Sequence, residues 1–406
     1  MRWQFSDPHS PADLNHRGQV QERIDRWWEA FAHQAPRLER LFKREDQWDL
    51  PNWMASNLQA IHPQLMWEYG PAVDCDGHRL VITPESARHL RPLTETILDK
   101  APTIPGWEFY GHRLAEPVDM VGPTVEARVG FEPEDYQVQV QIGELNRIDL
   151  CYFSPTIPSS EDQQSRHAAF VITETLLGEE LLDNWIGYID VAPLKKQGVL
   201  GSFLGKQSEA KSLIPLDRMH DTVHAAIGSL HDQLPRTPHY DWVDSAEWTG
   251  WKLEPDQQDD YCEQQDLFVG FSANPPMWTA AHQGGVFDSA RFSSVGETFC
   301  YVKLDGSEGL DEEKFADKSE IEDALNAALI PAKLGCHMGG GTGLRYSYVD
   351  LALTDLDRAI DVIRKVLQAG NVPRRSWIQF FDSNWCAEWV GIYDDSPPPP
   401  IPDFDE

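Results

Sequence analysis

The 406-residue chain predicts an α/β protein of the α+β kind: two two-layer α/β sandwich domains with mixed or antiparallel sheets. Three observations predict it. Segments with helical apolar spacing are separated by short runs rich in β-branched and aromatic residues. Several of those runs sit side by side across a polar turn, as antiparallel neighbours do. The order of elements restarts after a Gly-, Lys- and Ser-rich stretch at 194–215, so the pattern describes two units.

The first unit opens with a helix over 20–43, where Ile24, Trp27, Trp28, Phe31, Leu38, Leu41 and Phe42 recur on one face. Pro36 lies inside it and is expected to kink or split it. A shorter helix covers 52–61. QLMWEYG (64–70) and HRLVIT (78–83) read as strands joined through a tight turn at Asp76-Gly77. Residues 85–100 form a helix with Leu90, Leu93, Ile97 and Leu98 inward, stopped at Ala101-Pro102, and 106–113 is a strand. YQVQVQIGEL (136–145) alternates polar and apolar residues, as a strand with one wet face does, and RIDLCYF (147–153) follows it. A helix over 165–185, with Phe170, Leu177, Leu181 and Trp185 inward, leads into a strand at 186–193.

A helix over 216–234 connects to an irregular acidic segment at 241–260. The second unit then reads as strands 266–274 and 297–305, helix 311–330, strand 344–353, helix 355–370, and a hairpin of 376–381 with 386–393. That order is close to ferredoxin-like. The resulting boundaries are 1–193, a linker and connecting helix over 194–240, 241–393, and an acidic Pro-rich tail over 394–406, expected to be extended or disordered. The halves echo each other, since Thr83 and Trp107 flank one helix and Thr354 and Trp377 another. A duplication leaves such an echo, and so does any strand–helix–strand unit that contains a tryptophan.

Composition restricts function. Thirty-four basic against sixty-six acidic residues give a net charge of −32, which repels nucleic-acid phosphates and anionic lipid and favours a basic protein partner. No apolar run is long enough to span a membrane and no apolar leader follows the first methionine, so a cytoplasmic protein is expected. The six cysteines are scattered without a CxxC pair and read as reduced thiols. No GxSxG, HExxH or Cys–His nucleophile motif occurs, and no cofactor is expected.

Four groups of residues are candidates for chemistry. His220, His224 and His231 in HDTVHAAIGSLHD form one helical stripe, because positions eleven apart return to within about 20°. The stripe lies beside the apolar line of Leu216, Val223, Ile227, Leu230 and Leu234, and it has no Glu base, so it reads as the wet flank of the helix and not as a zinc site. HMGGGTG (337–343) reads as a glycine loop between a helix and a strand, serving as a turn, a bulge or a close backbone approach. If a small anion binds there, His337, Gly339, Gly340, Gly341, Thr342 and Arg345 are the groups to hold it. Glu68, Glu108, His112, Asp382 and Glu388 are polar residues near strand ends that would matter only if they converged. Trp242, Trp248 and Trp251 stand among acids, which suits a partner's basic groups or burial between elements.

MWEYG, LVITPE, the following helix and APTIPGWEFY resemble an N-terminal domain of bacterial proteins of unknown function. RFSSVGETFCYVKLDG, EIEDALNAAL and GCHMGGGTGLRYSYVDLAL resemble their C-terminal partner, domains sometimes found beside ribonuclease-E-regulator-like ones. The resemblance covers about two thirds of the chain and consists of strands and aromatics. It implies a cytosolic bacterial protein with a binding or regulatory role and transfers no active-site residue. The expectation is a non-enzymatic acidic interaction or regulatory module, immunity-like in character. Its rival is an enzyme or small-anion binder using an interdomain cleft near Gly339–Gly343. Replacing His220→Ala together with His224→Ala is expected to leave the metal content of tag-free protein unchanged, as read by elemental analysis.

Overall fold

Long apolar spacing builds the first element. In the computed structural model, which describes residues 2–6, 10–194, 213–283, 285–307 and 309–402, helix α1 runs Pro11–Phe42. Ser10 caps it by accepting the Asp13 N–H, and Pro11 occupies the first turn, where its missing N–H costs nothing. Pro36 does not split the helix, which continues through it to Phe42. Its apolar face continues on both sides of that residue, with Phe31, Ala35 and Leu38 all buried, so packing holds the turn that proline weakens.

Helix α2 (Leu50–Asn57), strands β1 (Met66–Pro71) and β2 (His78–Thr83), helix α3 (Arg91–Asp99) and strand β3 (Trp107–Tyr110) follow. β2 pairs antiparallel with β1 and parallel with β3, so α3 is the crossover a parallel pair requires. Trp27, Trp28, Phe31, Trp107 and the leucines of β2 and α3 share one core.

The chain then enters a second unit. The chain forms two compact units, one of Met1–Gly111, Thr237–His282 and Val295–Glu406, the other of His112–Arg236 with Gln283–Ser294. The divisions read from composition at 193 and 241 run across these units. Helix α4 (Val121–Val129), strands β4 (Gln137–Ile142) and β5 (Ile148–Ser154), helix α5 (Gln163–Trp185), strands β6 (Ile186–Pro193) and β7 (Leu213–Pro215) and helix α6 (Met219–Gln233) form the second unit's frame. The sheet order is β6-β5-β4-β7, with β5 and β6 parallel across α5. The helix expected over 165–185 is broken at Gly178, whose φ of 74° and ψ of 172° are open to glycine alone. There the helix yields its own ladder to the preceding segment: Glu179 N–H bonds the Arg113 carbonyl and Glu116 N–H the Thr175 carbonyl. The linker expected over 194–215 falls almost wholly at 195–212, outside the described residues.

The rest of the first unit carries a seven-stranded antiparallel sheet. Strands β8 (Thr249–Lys252) and β9 (Leu267–Ser272) and helix α7 (Pro275–His282) precede β10 (Thr298–Asp305), helix α8 (Lys318–Ala332), β11 (Gly335–Gly343), β12 (Tyr346–Leu353), helix α9 (Leu356–Ala369), β13 (Ser376–Phe380) and β14 (Trp389–Gly391). The sheet order is β14-β13-β10-β12-β11-β9-β8. β10-α8-β11-β12-α9-β13 is a βαββαβ path with internal order β13-β10-β12-β11, the ferredoxin-like arrangement. One sheet face packs Cys300, Val302, Leu304, Val349, Leu351 and Ile378 against α8 and α9. The other is covered by the segment before β9, through Tyr261, Gln264 and Asp266.

HMGGGTG is therefore not a loop. It belongs to β11, paired with β12 on one side and β9 on the other, with a register shift between His337 and Gly339. A Cβ on Gly341 would stand 2.3 Å from the Val269 carbonyl oxygen, and Gly340 sits at φ +147° with the Tyr348 carbonyl 2.2 Å from where its Cβ would be. The glycines let two neighbouring strands come close. The expected Pro-rich tail also differs in part: the Pro397 carbonyl accepts the Trp377 indole N–H at 2.5 Å, so the tail's first residues are held. Gly341→Ala is expected to destabilise the chain by about 1–3 kcal/mol, because the atom it meets is backbone and cannot swing away. The shift in urea midpoint measures it.

Candidate functional site

β8 is one of the two edge strands of the seven, and the tryptophan-rich segment builds it. Each tryptophan there rests on an aromatic partner. Trp242 lies against the His239 ring at 4.5 Å. Trp248 lies against Phe271 at 5.7 Å and His337 at 5.4 Å. Trp251 stacks on Trp278 at 3.9 Å and 8°, and Trp278 stacks in turn on His282 at 3.9 Å and 21°. Trp242 and Trp251 are half-buried, whereas Trp248 keeps 44% of its surface exposed. Exposed carboxylates of Asp244, Glu247, Glu254 and Asp256 flank the strand.

The segment is held from below by buried polar groups. Glu297 takes the backbone N–H of His239 on Oε1 and the His239 Nδ1–H on Oε2, both at 2.8 Å. His239 Nε2 accepts from the Asn274 amide at 3.1 Å, and Asn274 Oδ1 accepts the Met277 N–H at the start of α7. With both partners almost fully buried, this clamp sets where the chain leaves for β8.

A second polar chain runs from the middle of the sheet to the same edge. Asp350 on β12 is bonded to Gln264 at 3.0 Å, Gln264 to His282 Nε2 at 2.9 Å, and His282 Nδ1 donates to the Trp278 carbonyl at 2.8 Å. Two proton arrangements satisfy these positions. In one, an imidazolium donates to the Gln264 oxygen while the Gln264 N–H donates to the Asp350 carboxylate. In the other, the amide is turned, a neutral imidazole accepts, and a protonated Asp350 donates. Burial favours the uncharged arrangement: it pushes Asp350 up to about 7 and His282 down. Beside this chain, Lys303 is buried, donates to the Tyr261 carbonyl at 2.5 Å, lies 4.1 Å from the Tyr346 ring centre, and is pushed down by burial to about 8.

The anion-holding group proposed around 337–345 is dispersed. His337 faces α8, where its backbone N–H donates to Asn326 Oδ1 at 2.7 Å, its ring Nε2 lies 3.6 Å from Glu322, and burial pushes the imidazole down to about 4. Arg345 sits past the far end of β11 and donates to Asp305 at 3.0 Å. Burial works against the Asp305 charge, but hydrogen bonds from Ser307, Arg345 and Arg375 hold that carboxyl at about 2. Between them the backbone of Gly339, Gly340, Gly341 and Thr342 is paired with β9 and β12. The space beside Gly339 and Gly343 holds the carboxylates of Asp350 and Asp266.

The strand-end carboxylates are likewise engaged separately. Glu388 accepts the N–H groups of Trp3, Gln4 and Phe5 at 2.5–3.1 Å, tying the N-terminal segment to β14. Three strands lie between β14 and the β11 that carries His337. Glu108 holds the β1–β2 connection through the N–H groups of Val73 and Asp74. Glu68 lies on β1, His112 follows β3, and the Asp382 carbonyl receives the Trp385 N–H. The histidine stripe on α6 also divides. The rings of His220 and His224 are 4.4 Å apart, but His231 packs on Trp185 and bonds the Ala290 carbonyl at 3.1 Å. Among the described residues no three His, Cys, Asp or Glu are grouped to hold a metal ion. Nor is any helix among them long and apolar enough to cross a membrane.

A pocket of about 340 Å³ lies between the N-terminal segment, α9 and β14. Its two arginines are already engaged, Arg2 by Asp13 and the Trp389 carbonyl, and Arg364 by the Ile392 carbonyl and Asp394. Sequence reasoning missed Asp350, Gln264, His282 and the His239–Glu297 clamp. The signal that existed was an aspartate inside the apolar run YSYVDLAL, a buried strand position that asks for a partner.

Comparison of the chain with protein-family models, with curated proteins and with solved structures finds no match. The resemblance drawn from strands and aromatics thus rests on that pattern alone.

An aspartate with a raised folded pKa binds more protons folded than unfolded. Its contribution is complete below about pH 4 and is lost as pH rises to about 7. Asp350→Asn is therefore expected to gain stability relative to the parent across that window, by a few kcal/mol, and to hold a constant gain above it. Urea unfolding of both proteins from pH 4 to 9 reads this, and a difference independent of pH would exclude it.

Proposed function

We propose that the chain is a non-enzymatic acidic interaction module, regulatory in role, that receives a basic protein partner on the tryptophan-lined β8 edge. The observation that carries this reading is Trp248. It is 44% exposed, braced from behind by Phe271 and His337, and set among exposed carboxylates on a chain of net charge −32. A rigid aromatic anchor with a charged rim has the anatomy of an interface hot spot. The surrounding negative field speeds encounter with a basic partner and repels acidic ones.

The scatter of the ionisable side chains supports the same reading over catalysis. Three strands lie between the β14 that follows Glu388 and the β11 that carries His337, and each residue is bonded within its own part of the fold. General acid–base work needs two such groups within reach of one substrate atom. His337 and Glu388 are not within such reach of each other.

Immobilised full-length chain is expected to capture one stoichiometric basic protein from native lysate at low salt and release it at high salt. Trp248→Ala is expected to weaken that capture at least tenfold with the unfolding midpoint unchanged, since its ring is half in solvent. Absence of a stoichiometric partner at either salt concentration would remove the proposal.

A further inference from the structure

The way β8 is paired identifies what its outer side presents. Leu253 N–H donates to the Phe268 carbonyl at 2.9 Å, and Trp251 and Thr249 stand opposite Gly270 and Ser272 in the same ladder. Antiparallel pairing alternates, so residues 249, 251 and 253 turn their N–H and C=O toward β9, while Gly250 and Lys252 turn theirs outward. Among the described residues no backbone or side-chain group takes up those four outward groups. At the opposite edge of the sheet Arg2 covers part of β14, bonding the Trp389 carbonyl at 3.1 Å and lying 3.5 Å over the Trp389 ring. The sheet can be extended at β8.

The two faces of that edge differ. Trp251, stacked on Trp278, occupies one face. On the other, Trp248 and Lys252 flank Gly250, which has no side chain and whose Cβ would have only the Gly270 carbonyl, 3.7 Å away, as a near neighbour. A strand laid along β8 would place a side chain over this gap, against the exposed Trp248 ring. Two outward residues give few hydrogen bonds, so side chains must supply the remaining affinity. The exposed acids Asp244, Glu247, Glu254 and Asp256, set against the single Lys252, fix the sign of those side chains.

We infer that β8 is a strand-addition site for an extended basic segment of a partner protein, with a lysine or arginine of that segment opposite Gly250 and its cation over Trp248. This rests on the interaction reading above and names its mode. The alternating pattern is required because alternate residues of an added strand point to opposite faces. A cation over an indole adds about 0.5–2 kcal/mol, and the acidic rim adds a salt-dependent share.

The test uses the full chain and a fluorescein-labelled peptide of alternating lysine and valine, with a glutamate–valine peptide as control, read by anisotropy at low and high salt. The lysine peptide is expected to bind and to weaken with salt. Gly250→Pro removes an outward N–H and leaves the β8–β9 ladder its bonds, as proline on an outer strand does. It is expected to reduce binding at least tenfold, and so is N-methylation of alternate peptide residues. Circular dichroism and the urea midpoint confirm that the variant is folded. Equal binding by Gly250→Pro, or by the N-methylated peptide, would overturn strand addition while leaving a basic partner in place. Equal binding of the lysine and glutamate peptides would overturn the basic-partner reading itself.

Discussion

In the seven-stranded sheet, β11 is approached by backbone from both sides, and it meets that demand with the glycine run Gly339–Gly341. Gly339, Gly340 and Gly341 allow the carbonyls of β9 and β12 to come where a Cβ would stand. β12 and β10 on one side and β9 and β8 on the other then share one sheet. Without that close approach the ferredoxin-like core would end at β12, and the β9–β8 extension that carries Trp248 and Trp251 would have nothing to pair with. The missing side chains also leave room for Asp350 beside Gly339 and for Asp266 beside Gly343.

That room explains why the face opposite α8 and α9 is polar and aromatic. Asp350, Lys303, Tyr346 and Tyr348 fill it, each bonded to the segment that covers it. Buried polar groups fix position more sharply than apolar packing does, because a displaced partner leaves a donor or acceptor unpaired. The consequence reaches the edge: Asp350 orients Gln264, Gln264 holds His282, and His282 is the inner plate of the stack that ends at Trp251. Edge strand β8 is short, yet it is braced through rings and hydrogen bonds to the centre of the sheet.

The elements that were legible are those whose own residues bury a face. α1, α3, α8 and α9 repeat apolar residues at helical spacing, and β2, β10, β12 and β13 are β-rich runs. β11 was not legible because glycine has low strand preference and the stretch carries no alternation to read. The predicted order near ferredoxin-like lacked one strand between α8 and β12, and that strand was the glycine run. β8 was hidden in the same way, since four residues among acids and tryptophans have no period.

By itself the sequence determined the α/β class, the positions of the amphipathic helices, the strongly negative charge and the tryptophan–acid segment, because each depends on residues close together in the chain. It contained the histidine stripe of α6 as a set of angles, and the fold then turned His231 aside to Trp185. Only the tertiary structure decided that the glycine run is a central strand, that Asp350, Gln264 and His282 form one chain, and that β8 stands at an edge with two residues facing outward. Those outcomes depend on which strands become neighbours. Strand pairing joins residues as far apart as Gly250 and Phe271 or Gly339 and Asp350 through the space available between backbones, and that space is not a property of any local stretch.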